Sequence, residues 1–271
     1  MPELPEVESV RRQLHPRLAG RRIIAVRVDP QPRFSDVEAA AGRRVVEVRR
    51  RGKYLIAPLE RGDDRGGLEL VVHLGMTGSV RLRGPDWSPD RYVRATFHLD
   101  DGALDFRDVR RFGRLTVVAA GDYGGIPTLA GLGPEPLGPD FDPDRFHAGL
   151  ARTRAAVKAA LLGQRLVAGI GNIYADEALW RAGINPHARR VGRVRARALW
   201  RAIREVLADA VAREGTTFRD YRMLNGASGS NAAFLSAYGQ AGRPCPRCGA
   251  AMVRSVLGGR GTTWCPVCQR R

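Results

Sequence analysis

Two stretches of this chain have residue types and spacings that could do chemistry, and the first is its opening, MPELPEVE. Pro5, Glu6 and Glu8 read as a helix start, because proline is tolerated in the first turn and carboxylates suit the positive end of the helix dipole. Pro2 and Glu3 lie outside that explanation. Removal of Met1 would give Pro2 a secondary α-amine, and an α-amino group has a reference pKa of about 8 against about 10.4 for lysine. A useful fraction is then neutral and nucleophilic near pH 7. Attack of such an amine on a sugar C1′ yields an iminium, which is an electron sink, so the chemistry predicted is covalent catalysis of lyase type. Glu3 beside it would donate and accept protons, with a raised pKa in a dry pocket. Glu6 is a helix-start carboxylate that could also support the pair.

The second stretch is the tail, with CPRC at 245–248 and CPVC at 265–268; Cys245, Cys248, Cys265 and Cys268 are the only cysteines. Two CxxC turns 16 residues apart match a four-thiolate zinc ribbon. Disulfides are disfavoured without a secretory signal. Four thiolates leave no open position, so one structural zinc ion is predicted, whose binding helps fold the segment. Arg260 sits on the glycine-rich hairpin tip LGGRGTTW, where it can reach a phosphate or simply be a solvated turn residue.

Charge narrows the partner. A formal net charge of +17 and a pI near 11.1 favour a polyanion, with nucleic acid the leading reading. The acidic start carries no signal-like apolar run and no stretch is long enough for a membrane span, so a cytoplasmic protein without a membrane partner is expected. Of the 45 cationic side chains 43 are arginine, and lysine occurs only at Lys53 and Lys158. Those two are candidates for sites needing a compact ammonium of tunable pKa.

The elements that must position these groups follow from periodicity. From Ile23 to about Val118 come short alternating or β-branched runs, IIAVRV, VVEVRR, YLIAPL, LELVVHL, SVRLR, VRATFHL, ALDF and RLTVV, separated by RRGK, GDDRGG and the hairpin signal DDG. They predict an antiparallel sandwich or barrel. The Pro/Gly-rich run at 133–143 reads as a linker. Helices are predicted over Arg145–Leu162, Asn172–Ala182 and Arg195–Arg213, and GQRLVAGIGN between the first two could present backbone amides and Asn172 to a phosphate. A long loop with little periodicity follows, from about 216 to 240.

Together PELPEVE, RRRGKYL, HLGMTGSVR, DVRRFGRL, GIGNIYADEALWRAGI and CPRC…GGRGTTWCPVCQ resemble the formamidopyrimidine-DNA glycosylase family of bacterial base-excision repair enzymes, in order and along nearly the whole chain. The resemblance implies an α+β fold: a β-sandwich domain with its N-terminal helix (1–132), the linker (133–143), a helix-two-turns-helix domain with a lesion-covering loop (144–242) and a zinc-ribbon hairpin (243–271), acting as a monomer on double-stranded DNA held in the cleft between domains. It implies removal of oxidised purines and strand cleavage by β,δ-elimination on nucleoid DNA. Pro2 is then the Schiff-base nucleophile, Glu3 the acid/base, Lys53 a phosphate contact and proton donor, and Arg260 a phosphate ligand acting in the second elimination. Met76, Arg111 and Phe112 match the trio that fills the void left by a flipped base. His73, Asn172, Tyr174 and Lys158 fall where the family contacts backbone or damaged base; Tyr92 and Arg154 stand where many relatives have histidine and lysine. The loop departs from the family pattern at Gly229–Phe234. An endonuclease VIII-like glycosylase for oxidised pyrimidines shares the proline, helix element and ribbon, and a non-catalytic zinc-ribbon DNA-binding protein is the reading from another class.

Overall fold

A computed structural model describes residues 1–62, 64–84, 90–217, 224 and 226–270, apart from the side chains of 64–66. The chain divides into two compact units, Met1–Ala130 with Glu214–Ser230, and Gly131–Arg213 with Asn231–Arg271.

In the first unit, α1 (Leu4–Leu18) precedes β1 (Ile23–Val28), β2 (Phe34–Ser35), β3 (Arg44–Val45), β4 (Arg49–Arg51), β5 (Tyr54–Arg61), β6 (Asp64–His73), β7 (Ser79–Arg83), β8 (Val93–Leu99), β9 (Ala103–Arg107), β10 (Arg114–Ala119) and the single turn α2 (Pro127–Ala130). One sheet has the order β1-β8-β9-β7; the other runs β2-β10-β6-β5-β3, with β4 also paired to β5. The pairs are antiparallel except that β2 runs parallel to β10, so the expected antiparallel arrangement holds with one short exception. Alternation sends Leu55 and Ala57 from one sheet, and Phe97, Leu104 and Phe106 from the other, into one core with Val7, Val10 and Leu14 of α1. That shared core makes the pair of sheets a sandwich.

The run VVEVRR is not one strand. Val45 pairs with Leu59 but Arg49 pairs with Ile56, a register slip that inserts a bulge. There the Val48 N–H leaves the ladder and donates to His15 Nδ1 of α1 at 3.1 Å.

The second unit contains α3 (Pro143–Arg152), α4 (Val157–Leu162), α5 (Asn172–Arg181), α6 (Arg193–Ala212), β11 (Val253–Leu257) and β12 (Arg260–Trp264). Asp142 caps α3 by accepting the N–H groups of Asp144 and Arg145 at 3.0 and 2.8 Å, with Pro143 at the first helical position. The helix expected over Arg145–Leu162 breaks at Thr153, because the Val157 and Lys158 N–H groups donate instead to Ala188 and Pro186 at 2.7 and 3.3 Å. The apolar stripe Leu199, Ile203, Leu207 and Ala210 of α6 closes a second core with Ala175, Ala178 and Leu179 of α5. Glu214–Ser230, expected to belong with the second domain, belongs instead to the first unit, for a reason that lies at the candidate site.

Candidate functional site

Pro2 and Glu3 are both buried at the start of α1. Glu3 is its N-cap rather than a residue outside it, and shares a capping box with Glu6. The Glu3 N–H donates to Glu6 Oε2 at 2.7 Å, while Glu6 Oε1 accepts the Thr216 N–H, also at 2.7 Å. Glu6 therefore holds both the N-terminal residues and the neck of the segment that begins at Glu214. At that neck Thr216 bridges to Ser230 and the Gly229 N–H donates to Thr217 Oγ1 at 3.0 Å. A Cβ on Gly229 would lie 2.3 Å from the Gly215 carbonyl oxygen, so only glycine permits this approach. Of the expected lesion-covering loop, residues 218–223 and 225 lie outside the described residues. At its far end Asn231 is buried and accepts from Arg213, whose guanidinium also lies 4.1 Å from the Phe234 ring centroid.

Lys53 follows Gly52 in the tight turn from β4 to β5 and is 4% exposed. The sequence reading missed the residue that anchors this turn, Glu8 on α1. Glu8 accepts from Arg50 Nε at 3.1 Å, and Arg50 in turn donates to the Gly52 carbonyl at 3.0 Å. Burial pushes the Glu8 carboxyl up, but hydrogen bonds and charge from Arg11 and Arg50 outweigh it and hold the pKa below the usual carboxylate value. The acidic run at a helix start hinted at Glu8 only as a dipole partner.

His73 closes β6 opposite Tyr54, with ring centroids 4.7 Å apart. Burial, then the charges of Lys53, Arg114 and Arg33, lower its pKa to about 4, so at neutral pH it is uncharged. Its Nδ1 accepts the Gly75 N–H at 3.1 Å, which puts the remaining proton on Nε2, a donor suited to a phosphate oxygen.

The three void-filling candidates fall on two turns that pack together. Met76 lies in the turn after β6; Arg111 and Phe112 lie in the turn between β9 and β10. A Cβ on Gly75, whose φ is +63°, would come within 2.6 Å of the Phe112 and Gly113 backbone. Asp108, 1% exposed, joins them: its carboxylate accepts Thr77 Oγ1 at 2.6 Å and the Gly113 N–H at 2.8 Å. The sequence reading passed over Asp108 too, although DVRR contains it. Arg111 holds φ +56°, a left-handed conformation costly for a side chain with a Cβ, and Phe112 is 41% exposed. Tyr92 is gripped by Arg91 and Arg107, each 4.8 Å from its ring centroid, and its hydroxyl accepts from Arg91.

In the second unit two side chains expected to meet DNA are buried, Lys158 and Tyr174. Lys158 is fully buried and ion-paired to Asp176 Oδ1 at 2.7 Å. Its ammonium also donates to the Gly261 carbonyl at 3.1 Å and to Thr262 Oγ1 at 2.9 Å, so it fastens the ribbon hairpin to α4 and α5. Desolvation raises the Asp176 pKa despite Lys158. Tyr174 is likewise buried, within the second core. Asn172, at the start of α5, donates from Nδ2 to the Gly261 carbonyl at 3.0 Å, while its Oδ1 is buried without a hydrogen-bond partner among the described residues. The guanidiniums of Arg260, beside this junction, and of Arg154, after α3, are without partners among the described residues, and both residues are exposed.

The four cysteine sulfurs lie within 4.8 Å of one another, with Cys245–Cys268 at 4.0 Å and Cys248–Cys265 at 3.5 Å. Zn–S bonds of about 2.3 Å in a tetrahedron place sulfurs about 3.8 Å apart, so the set fits one zinc ion and excludes disulfides, whose sulfurs stand about 2.05 Å apart. Trp180 Nε1 donates to Cys245 Sγ at 3.4 Å and Gln269 Oε1 accepts the Cys265 N–H at 2.7 Å, orienting the ligands from outside the ring of sulfurs. Among the described residues no helix is long and apolar enough to cross a membrane.

Comparison with known proteins gives three family matches: the formamidopyrimidine-DNA glycosylase N-terminal domain over residues 1–115, the formamidopyrimidine-DNA glycosylase H2TH domain over 132–222, and the zinc finger found in FPG and IleRS over 242–271. The formamidopyrimidine-DNA glycosylase of Thermus thermophilus is 48% identical over 99% of this chain and 98% of its own. The crystal structure of MutM (FPG) from that organism superposes with a TM-score of 0.92 at 47% identity, covering 99% of this chain and 98% of the other. A Lactococcus lactis FPG variant complexed with a Fapy-dG containing DNA gives 0.89 at 37% identity over the whole of both chains.

Proposed function

The chain belongs to the formamidopyrimidine-DNA glycosylase family, and from that premise we propose that it excises oxidised purines from double-stranded DNA and then cuts the strand at the vacated site. The observation that carries the mechanism is the burial of Pro2 and Glu3 together at a capped helix start. With Met1 removed, the Pro2 amine attacks C1′ of the damaged nucleotide and the base leaves. Glu3 donates a proton as the sugar ring opens to the Schiff base. The iminium acidifies the adjacent C2′ hydrogen, and its loss expels the 3′ phosphate; a second elimination expels the 5′ phosphate.

Around that centre Lys53 offers an ammonium to a phosphate and a proton during the first elimination, neutral His73 donates from Nε2, and Arg260 binds the phosphate lost in the second. Met76, Arg111 and Phe112 enter the duplex where the base has left. Asn172, Arg154 and Tyr92 hold backbone phosphates. Zinc, bound by the four cysteines, supplies no open coordination position and serves to fold the hairpin that carries Arg260. The enzyme works as a monomer in the cytoplasm, on DNA of the nucleoid.

Borohydride trapping tests this reading, using duplexes with 8-oxoguanine opposite cytosine beside thymine-glycol duplexes, with intact-mass proof that Met1 is gone. An adduct at Pro2 formed mainly with 8-oxoguanine is expected. Adducts mainly with thymine glycol would reassign the chain to oxidised pyrimidines, and none with either would leave a DNA-binding module.

A further inference from the structure

A groove in the second unit brings Arg154 together with two arginines that have been given no role so far. It is lined by Thr153 and Arg154, which follow α3, and by Arg189, Arg190 and Gly192, which precede α6. All three guanidiniums are exposed, and none has a hydrogen-bond or ion-pair partner among the described residues. Elsewhere in the same unit Arg193 pairs with Asp144 and Arg181 with Asp209, so carboxylates are within the chain's reach when a cation is to be neutralised internally. Here three cations converge on one concavity and none is neutralised.

The groove is also held rigidly. Its 185–192 wall is tied to the start of α4 by the Val157 and Lys158 N–H donations to Ala188 and Pro186. The same wall is tied to the ribbon, where His187 Nε2 lies 2.8 Å from Ser255 Oγ and its ring centroid 6.2 Å from that of Trp264. Buried Asn185 fixes the bend by accepting the His187 N–H at 2.9 Å. Lys158 therefore joins two places: its backbone holds the groove wall, while its side chain holds Gly261, next to Arg260. A fixed, unneutralised cationic concavity mechanically continuous with the Asn172–Arg260 junction suits an extended row of phosphates.

We propose that Arg154, Arg189 and Arg190 form a second phosphate-binding site, which grips the DNA backbone beyond the stretch engaged at the lesion. This rests on the DNA-repair reading above, to which it adds Arg189 and Arg190 as backbone contacts. Guanidiniums at fixed separation contact phosphates without reading sequence, so the groove lengthens the footprint and raises affinity for damaged and undamaged duplex alike.

The test is the salt dependence of binding, measured by fluorescence anisotropy on a short duplex reaching one helical turn either side of a non-cleavable abasic analogue, and on long duplexes reaching two turns, with and without the analogue. Every phosphate that the protein no longer neutralises lowers the slope of log K against log salt by about 0.9. The Arg189→Ala/Arg190→Ala variant should therefore lose about 1.8 from the slope on both long duplexes and nothing on the short one. Arg189→Lys/Arg190→Lys should restore the slope, and zinc content with circular dichroism should match wild type. Equal slopes for wild type and the alanine variant on the long duplexes would overturn the proposal. So would an equal loss in Arg197→Ala/Arg201→Ala, because that would be a response to net charge alone. The undamaged long duplex judges the groove even if borohydride trapping fails, so the two failures are distinguishable.

Discussion

Glu6 Oε1 accepts the backbone N–H of Thr216 at 2.7 Å, across 210 residues of chain. Because Oε2 of the same carboxylate accepts the Glu3 N–H, one side chain couples the candidate nucleophile's neighbour to the neck of the loop. In Glu6→Gln the amide nitrogen can donate but not accept, so one buried N–H is left unsatisfied at a cost of about 1–3 kcal/mol. The expected outcome is a lower melting temperature for the first unit and slower Pro2 trapping at saturating DNA. Unchanged melting and unchanged trapping would remove Glu6 from the site.

Acid should act on the first unit in two steps. His73 has its folded pKa lowered to about 4 against about 6.5 unfolded, so the unfolded chain takes up the extra proton first. Stability is full above pH 6.5 and falls between there and pH 4, by up to about 1.4 kcal/mol per pH unit. Glu8, also lowered, contributes stability that is present above its unfolded pKa and is lost as pH drops through its folded one, so its loss begins at a lower pH than that of His73. Urea titrations at stepped pH should show the upper loss vanish in His73→Asn and the lower one vanish in Glu8→Gln. Two unaltered profiles would mean that neither group is held as described.

Phe112 and Asp108 separate recognition from scaffold. Phe112→Ala removes a ring already 41% exposed, so stability should move within about 0.5 kcal/mol. Excision should fall roughly tenfold to a hundredfold, since stacking of an aromatic on a base is worth about 1–3 kcal/mol. Asp108→Ala should do the reverse first, lowering the melting temperature because Thr77 and Gly113 lose their buried acceptor. A Phe112→Ala enzyme of full activity would show that the exposed ring does not enter the duplex.

How much of this was legible in the sequence depends on the range of the interaction concerned. Strands β1 and β8 coincide with IIAVRV and VRATFHL because alternation is local and both have one face in the core. The bulge within VVEVRR depends on His15 of α1, and the break after Thr153 on carbonyls roughly thirty residues away, so no window of sequence contains their cause. The CxxC pairs were legible because metal geometry fixes ligand spacing. Lys158 stood out by rarity, yet the reason for an ammonium there is a buried pocket of Asp176, Thr262 and a carbonyl. That pocket exists only after the hairpin has folded back.

Lys158→Met should accordingly be a stability mutation before it is a DNA-binding one. Removing one partner of a buried ion pair costs about 3–5 kcal/mol, whereas replacing both with apolar residues can be nearly neutral. The second unit should melt earlier in Lys158→Met and largely recover in Lys158→Met/Asp176→Leu. Recovered stability without recovered DNA affinity would instead return Lys158 to a direct contact.

Zinc removal reaches the same junction from the other side. Trp180 donates its indole N–H to Cys245 Sγ, and Arg247 lies 4.7 Å from its ring centroid, while Trp264 follows Thr263, whose N–H donates to Asp176. A chelator should therefore change tryptophan fluorescence as the ribbon unfolds, and zinc should restore it. Because Arg260 rides on the hairpin and Pro2 does not, chelated enzyme should still form the borohydride adduct when DNA is saturating, with the second elimination reduced more than the first. Cys248→Ser, which removes one thiolate, should reproduce the chelated behaviour. Equal loss of trapping and of both eliminations would show that the ribbon supports the whole reaction rather than the placement of Arg260.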